Sequence, residues 1–550
     1  MKEQSYVIVT EAPKLNYLKD FVALPENYGS LEYFEREDVK AIRNTVFKCL
    51  DDLESKTKFS EKLKNNKKVL IKPNLVGIFH ESGYSIVDSP QSTDPRVFEA
   101  VICYLKKMTE NVVIIESSGG GSTYASFKTT GYDRIADYYN TGLIALEGEP
   151  VTRYMVPKAE VQKEVYIPQI IEEIINGEAF YVSVPKMKTN IYTGVTLGFK
   201  NAMGTLPYMM RERNHTYDIN KKLVDLLYLF KPDLTVIDGI IGGEGDTPAP
   251  VDPVEVGVII SGNNSVETDR VATRMMGFDP DKNLLMVEAV KRGFNDPEVT
   301  IIGNQKVVPF KPAENSFLTK RFRDKFPNIT TLVGFSMKHA PKIADVNQVS
   351  PETVVEMEAV CAPGCIATLK FCHTNYEYMT GVDYKAFDYV LILGNGVEKD
   401  GIKYYFDVDG KPYTTDEIRA MERKKMAVGE CVRYLEKDVD YYAGGCCSPQ
   451  SIVFMFREVK EAPPTPNGTM ANKSLYLLAE EQIKLVLRKR QQVNAGLWID
   501  AKRVADYRVG EIPELSPEEM KLDYIKWPLG EIPEDTKAEF LTTYAAPFEY

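Results

Sequence analysis

Several apolar runs in this chain end in polar residues whose types suit a small anion. Val69–Ile71 leads into Lys72-Pro73-Asn74, Val112–Ile115 into Glu116-Ser117-Ser118-Gly119-Gly120-Gly121-Ser122-Thr123, and Ala179–Val184 into Pro185-Lys186-Met187-Lys188-Thr189. Lysine ammonium groups complement phosphate and carboxylate. Consecutive glycines between a strand and a helix can turn backbone N–H groups toward an anion, with the helix N-terminus adding partial positive charge. The plain alternatives are a tight turn that serves chain geometry and lysines that are solvated strand-end charges. Leu234–Ile237 leads directly into Asp238, a carboxylate placed to act as a base, to bind a metal or to cap the next turn. Thr196–Lys200 runs into Asn201-Ala202-Met203-Gly204. Lys72, Lys186, Lys188 and Asp238 are therefore candidate catalytic residues. Gly119, Gly120, Gly121, Ser122, Lys200 and Asn201 are candidates for holding a substrate or cofactor. Asp269, within Glu267-Thr268-Asp269-Arg270, is expected to pair with a neighbouring arginine. Neither a Walker loop nor a dinucleotide fingerprint is present.

The cysteines suggest a second chemistry. Cys49 and Cys103 stand alone and fit small buried hydrophobes, whereas Cys361, Cys365, Cys372, Cys431, Cys446 and Cys447 crowd into one region. In a reducing compartment such a cluster reads as metal binding or redox chemistry before disulfides. Cys361-Ala362-Pro363-Gly364-Cys365 sits past an expected helix end, and Gly429-Glu430-Cys431 and Gly444-Gly445-Cys446-Cys447 place others in glycine-bearing loops. Glycines let N–H groups approach cluster sulfurs. Cys361, Cys365, Cys431 and Cys446, with Cys447 able to replace Cys446, are the expected ligands of an iron–sulfur cluster of the 4Fe-4S type. Structural zinc, a redox dithiol and plain packing are the competing readings; paired Cys-x2-Cys zinc knuckles are absent. Of the four histidines only His373, beside Cys372, could reach such a cluster.

The elements that must position these residues read as α/β. Short apolar runs alternate with helical patterns up to about residue 286, the pattern of parallel strands joined by crossover helices. In such sheets ligands sit beyond the carboxyl ends of the strands. Strands are expected over Val69–Ile71, Val112–Ile115, Ala179–Val184, Leu234–Ile237 and Val256–Ser261. Helices are expected over Pro95–Lys107, with Asp94 as N-cap, and over Ser265–Met276. The fold class is thus a Rossmann-like, mostly parallel α/β domain over 1–300, a connector over 301–349, and a smaller cysteine-bearing α/β domain over 350–460. A linker, helix and irregular tail fill 461–550. In the second domain Ser350–Val360 and Thr415–Lys425 read as capped helices and Tyr389–Leu393 as a buried strand. Pro463–Gly468 reads as linker and Ser474–Arg490 as an amphipathic helix, whose apolar face would be covered by the core or by a second copy of the chain.

The chain has 550 residues, 44% of them hydrophobic, enough to bury sizeable cores without staples. Lys plus Arg number 67 against 79 Asp plus Glu, a net charge of −12, so a phosphate backbone would be repelled and no nucleic-acid partner is expected. No apolar run has the length of a membrane span and no signal pattern opens the chain, so no membrane partner and a cytoplasmic location are expected.

Taken in order, Lys72-Pro73-Asn74, the Glu116-Ser117 turn, Pro185-Lys186-Met187-Lys188-Thr189, Thr196 through Gly204 and Asp238-Gly239 resemble the domain-of-unknown-function 362 family over about Lys68–Arg292. The resemblance implies frequent association with iron–sulfur segments in anaerobic metabolism and little defined chemistry. The two-cluster ferredoxin run found beside some members is lacking here. The leading expectation is an iron–sulfur oxidoreductase acting on a small anionic metabolite, with a possible electron-donor protein; no second redox cofactor is indicated. The alternatives are a lyase or isomerase using the cluster as a Lewis acid, and an electron-transfer or scaffold subunit without its own active site.

Overall fold

The computed structural model describes residues 3–17, 26–76, 91–118, 123–207, 218–247, 251–335, 341–367, 369–370, 373, 385, 387–444 and 514–527. Contacts divide the chain into two units whose boundary falls between Pro312 and Ala313, with the described tail residues 514–527 belonging to the first.

The strands of the first unit are β1 (Tyr6–Glu11), β2 (Lys68–Pro73), β3 (Val112–Glu116), β4 (Gly142–Ala145), β5 (Val151–Met155), β6 (Glu164–Pro168), β7 (Ala179–Val184), β8 (Lys186–Asn190), β9 (Gly194–Thr196), β10 (Leu234–Glu244), β11 (Asp252–Gly262) and β12 (Thr300–Ile302). Its main sheet has the order β12-β1-β11-β10-β7-β2-β3-β4, with β8 paired to β10 and β9. Strands β10, β7, β2, β3 and β4 run parallel. Their apolar residues form near-continuous runs because helices cover both faces. On one face Val69, Ile71, Val112, Ile114, Val182 and Val236 pack with helices Glu37–Thr57 and Pro95–Leu105. On the other, Ile237, Val258 and Ile260 pack with helix Ser265–Met275.

The expected mostly parallel α/β class is correct, with two exceptions in the sheet: the short β9, antiparallel to β8, and β11. The Val256–Ser261 segment lies in β11, which runs antiparallel to β10 and β1. A connection of a few residues after Glu244 is too short for a crossover helix and allows only a hairpin. Likewise Asp238 is not in a loop: β10 continues through the Gly239–Gly243 run with one irregularity between Gly239 and Ile241.

The second unit is built on β13 (Ile329–Val333), β14 (Tyr389–Leu393), β15 (Val397–Lys399), β16 (Ile402–Phe406), β17 (Pro412–Thr414), β18 (Lys425–Val428) and β19 (Tyr441–Ala443), in the order β15-β16-β13-β14-β18-β19 with β17 on β16. Strands β13, β14, β18 and β19 are parallel. The expected helix after Ser350 spans Pro351–Ala359, with the Ser350 side chain accepting from the Thr353 N–H. The expected Thr415–Lys425 helix stops at Ala420, because Lys425–Val428 is needed as a strand. The stretch read as a connector is structured instead: β12 pairs with β1, and the β-branched run Ile329–Val333 forms β13, beside β14 in the second sheet. In the tail, β20 (Ile525–Trp527) pairs with β5, making a three-stranded sheet with β6. The Pro463–Gly468 linker and the Ser474–Arg490 helix lie outside the described residues.

Candidate functional site

The parallel strands of the first unit deliver their carboxyl ends to one edge, and the residues there are charged yet sealed from water. Lys72 is 1% exposed, Lys186 0%, Lys188 1% and Asp238 0%. None is the solvated strand-end charge of the plain reading. Burying a charge is costly unless it is paired and hydrogen-bonded, so each should have a specific partner.

Lys72, one residue before the end of β2, donates to Glu116 (2.8 Å), to Asn201 Oδ1 (2.9 Å) and to the Pro73 carbonyl (3.0 Å). Glu116 ends the neighbouring β3 and also accepts from the Leu75 and Ser117 N–H groups. Burial pushes Glu116 up from the usual carboxylate range, with Lys72 pulling the other way. Asn201, second residue of the turn Lys200–Thr205, donates back to Pro73 and to Ser183 Oγ. The same turn brings Gly204 against the ion pair. A Cβ there would lie 2.6 Å from Lys72 Nζ and closer still to Glu116 Oε1, so only glycine lets the backbone approach.

Lys186 lies past β7 and faces Asp238 at 2.8 Å, in register across β8 and β10. Asp238 also accepts from the backbone N–H of Asp94, which caps the helix Pro95–Leu105. Asp94 in turn holds Arg96, and Arg96 pairs with Asp38. Burial raises Asp238, opposed by Lys186. Asp94 is equally buried, but Arg96 and then Lys186 outweigh that burial and hold it below the usual range. Lys188 donates to the Gln91 carbonyl. Lys72, Lys186 and Lys188 therefore share an edge, and each ammonium there has a partner of its own. The segment 91–94 links them: Thr93 Oγ1 donates to Val184 and receives the Asn74 N–H, and Asn74 Nδ2 donates to Asn201 Oδ1 (3.2 Å).

Two polar groups beside Lys72 are left open. Lys200 is 8% exposed, and among the described residues no hydrogen bond or ion pair reaches its ammonium. Burial, and then the like charge of Lys72, push its pKa down to about 8. Asn74 Oδ1 is buried without a partner. The turn carrying Lys200 is fixed from behind by Asp269, which accepts the Gly198 N–H at 2.6 Å and the Phe199 N–H at 3.0 Å. This corrects the expected Asp269–Arg pair: Arg270 pairs with Glu267 and Asp281 instead. Burial outweighs the two N–H donors and raises Asp269 to about 8.

Gly119, Gly120, Gly121 and Ser122 lie outside the described residues. At the end of that turn the Thr123 N–H, first of the helix Thr123–Thr130, donates to the buried Glu147 carboxylate at 2.7 Å. An internal carboxylate thus already caps the described part of the expected anion-binding turn.

In the second unit the Cys361 and Cys365 sulfurs stand 3.6 Å apart. Two thiolates on one tetrahedral metal with bonds of about 2.3 Å would be about 3.8 Å apart, so the pair as found fits one metal ion or a dithiol. Cys431 packs with Val390 and Ile392, whereas Cys361 and Cys365 pack with Leu391 and Leu393. These residues alternate along β14, so the sheet separates Cys431 from the pair. Cys446 and Cys447 lie outside the described residues. Among the described residues no three His, Cys, Asp or Glu side chains gather as a metal site, and the described ligands alone do not form the expected four-thiolate set. His373 is fully buried, its nitrogens against the Leu369 carbonyl and the Tyr389 hydroxyl, with Phe317, Phe322, Phe326 and Phe387 around it. Burial lowers its pKa to about 3, which marks a neutral core histidine. Cys49 is a core thiol bonded to Ser261 Oγ, as read.

Fold and site together define an α/β protein with a buried lysine–carboxylate centre at the carboxyl ends of a parallel sheet. Residues 69–274 match the family described as domain of unknown function (DUF362), as the order of motifs indicated. The chain is also similar to a thylakoid-associated protein of Synechocystis sp., 25% identical over 239 residues that cover 42% of this chain and 70% of that protein. Among the described residues no helix is long and apolar enough to cross a membrane.

Proposed function

We propose that this protein is an enzyme acting on a small anionic metabolite held at the Lys72–Glu116–Asn201 centre, with Lys200 and Asn74 as the groups that meet it. The observation that carries this reading is Lys200, a side chain nine-tenths buried whose amine has no counter-ion among the described residues. A buried unpaired amine costs stability, and a strongly perturbed group in such a setting is a mark of function. An incoming carboxylate or phosphate would supply the missing charge, while Asn74 Oδ1 would accept a hydroxyl or N–H of the ligand. Calorimetric titration with phosphate, succinate, lactate and pyruvate tests it. At least one should bind, and Lys200→Met should weaken that binding by at least tenfold, while the exposed Lys282→Met should not. Binding of none, or binding indifferent to Lys200→Met, would overturn the reading.

A second reading, that the enzyme is iron–sulfur-dependent and redox-active, is supported by the meeting of Cys361 and Cys365, whose sulfurs would have to part beyond 3.6 Å for each to take its own iron of one cluster. These two thiols would be the first ligands, with Cys446 and Cys447 outside the described residues available to add to them. Protein purified without oxygen should then absorb broadly near 400 nm with about four irons per chain, and Cys361→Ser should lower the iron content whereas Cys49→Ser should not. Stoichiometric zinc without iron would end this reading and leave the first intact.

A further inference from the structure

Lys72 and Lys200 lie close enough to influence one another's ionisation, but their surroundings differ. Lys72 donates to Glu116, Asn201 and the Pro73 carbonyl. Lys200 has no counter-ion among the described residues, is nine-tenths buried, and faces a like charge. The charge of Lys72 is already matched by the Glu116 carboxylate, an arrangement that favours an ammonium. The environment of Lys200 does the opposite, because desolvation and a neighbouring cation both favour the uncharged amine, the form that is nucleophilic. Where two titratable groups in one centre are driven apart in this way, their roles differ. The turn that presents Lys200 is rigidly held by Asp269 through the Gly198 and Phe199 N–H groups and by Asn201 through Ser183 and Pro73, as a nucleophile requires.

Resting on the anionic-substrate reading above, we infer that Lys200 is an imine-forming lysine and that the metabolite carries an aldehyde or ketone carbonyl beside its anionic group, as in a 2-oxo acid. The Lys200 nitrogen lone pair forms a C–N bond to the carbonyl carbon as the carbon–oxygen π bond breaks. The nitrogen gives up two protons, and the oxygen leaves with two as water, so the step consumes no oxidant or reductant. Glu116, hydrogen-bonded to Lys72, which also holds the Asn201 next to Lys200, is the carboxyl of the centre that relays protons. The resulting imine makes the adjacent carbon acidic or its carboxylate labile.

Intact full-length protein is incubated at neutral pH with pyruvate and sodium cyanoborohydride, digested, and mapped by mass spectrometry. The expected result is a reduced pyruvate adduct on Lys200 well before the exposed Lys282. Lys200→Arg, which keeps a cation but has no nucleophilic amine, should still bind lactate by calorimetry and form no adduct at that position. Lactate binding by wild type that depends on residue 200, with pyruvate leaving Lys200 unmodified, would overturn the imine while leaving the anion site standing. If neither lactate nor pyruvate binds and no adduct forms, both fall.

Discussion

Lys186→Met should lower the stability of the first unit by about 3–5 kcal/mol, the cost of leaving one member of a buried ion pair without its partner. Lys186 and Asp238 are both fully buried and 2.8 Å apart. Without the ammonium, Asp238 would face Asp94, itself 1% exposed, with only the Asp94 and Ile240 N–H groups to compensate. The loss should depend on pH with a definite sign. Burial already raises Asp238 above its unfolded value, and removing Lys186 raises it further. A carboxyl whose folded pKa is raised contributes least cost below its unfolded pKa and destabilises as pH rises through the folded one. The variant should therefore be nearest to wild type in acid and fall away toward neutrality. Adding Asp238→Asn should recover part of the loss at neutral pH, because the stranded charge is gone. Denaturant unfolding of the first-unit transition measures this. A loss below about 1 kcal/mol, typical of an exposed pair, would mean that this edge of the sheet is open to water.

Part of this architecture was legible in residue order. Ala179–Val184 is a strand over the limits its apolar run suggested, and Asp94-Pro95 marks a helix start in which the Asp94 side chain accepts the Arg96 N–H. Both signals are local: an uninterrupted β-forming run, and a cap followed by proline. The strand-end rule also led to Lys72, Lys186 and Lys188, since parallel pairing places the residues after each strand on one edge. What was hidden is non-local. Glu116 was visible only as the start of a turn, because its partner Lys72 lies 44 positions away. Asp269 has an arginine as its sequence neighbour, and only the fold turns it toward Gly198 and Phe199, 71 and 70 positions distant. The glycine run after Asp238 reads locally as a loop, yet pairing with β11 carries it through as strand. Cys361 and Cys365, four residues apart, meet as spacing suggests, whereas Cys431 reaches the opposite face of β14 through sheet alternation that no motif encodes.

Lys200 illustrates the same limit. Its place in the Thr196–Gly204 motif pointed to a ligand contact, but its value as a site comes from what surrounds it: the charge of Lys72, no counter-ion among the described residues, and burial of most of the side chain. That combination makes the state of one amine the central quantity of the account. Trace labelling with acetic anhydride across a pH series, read at Lys200 by mass spectrometry, measures it directly. Burial scales the absolute rate but leaves the midpoint of the profile at the pKa of the amine. The account predicts a midpoint at about 8, where burial and Lys72 place it, against about 10.4 for an ordinary lysine. That gap corresponds to a neutral fraction at neutral pH larger by a factor of about 250. A bound anion should move the midpoint upward, because an opposite charge favours the ammonium. A midpoint at the ordinary lysine value, unmoved by any of the anions, would contradict the claim that Lys200 is the open group of a substrate site.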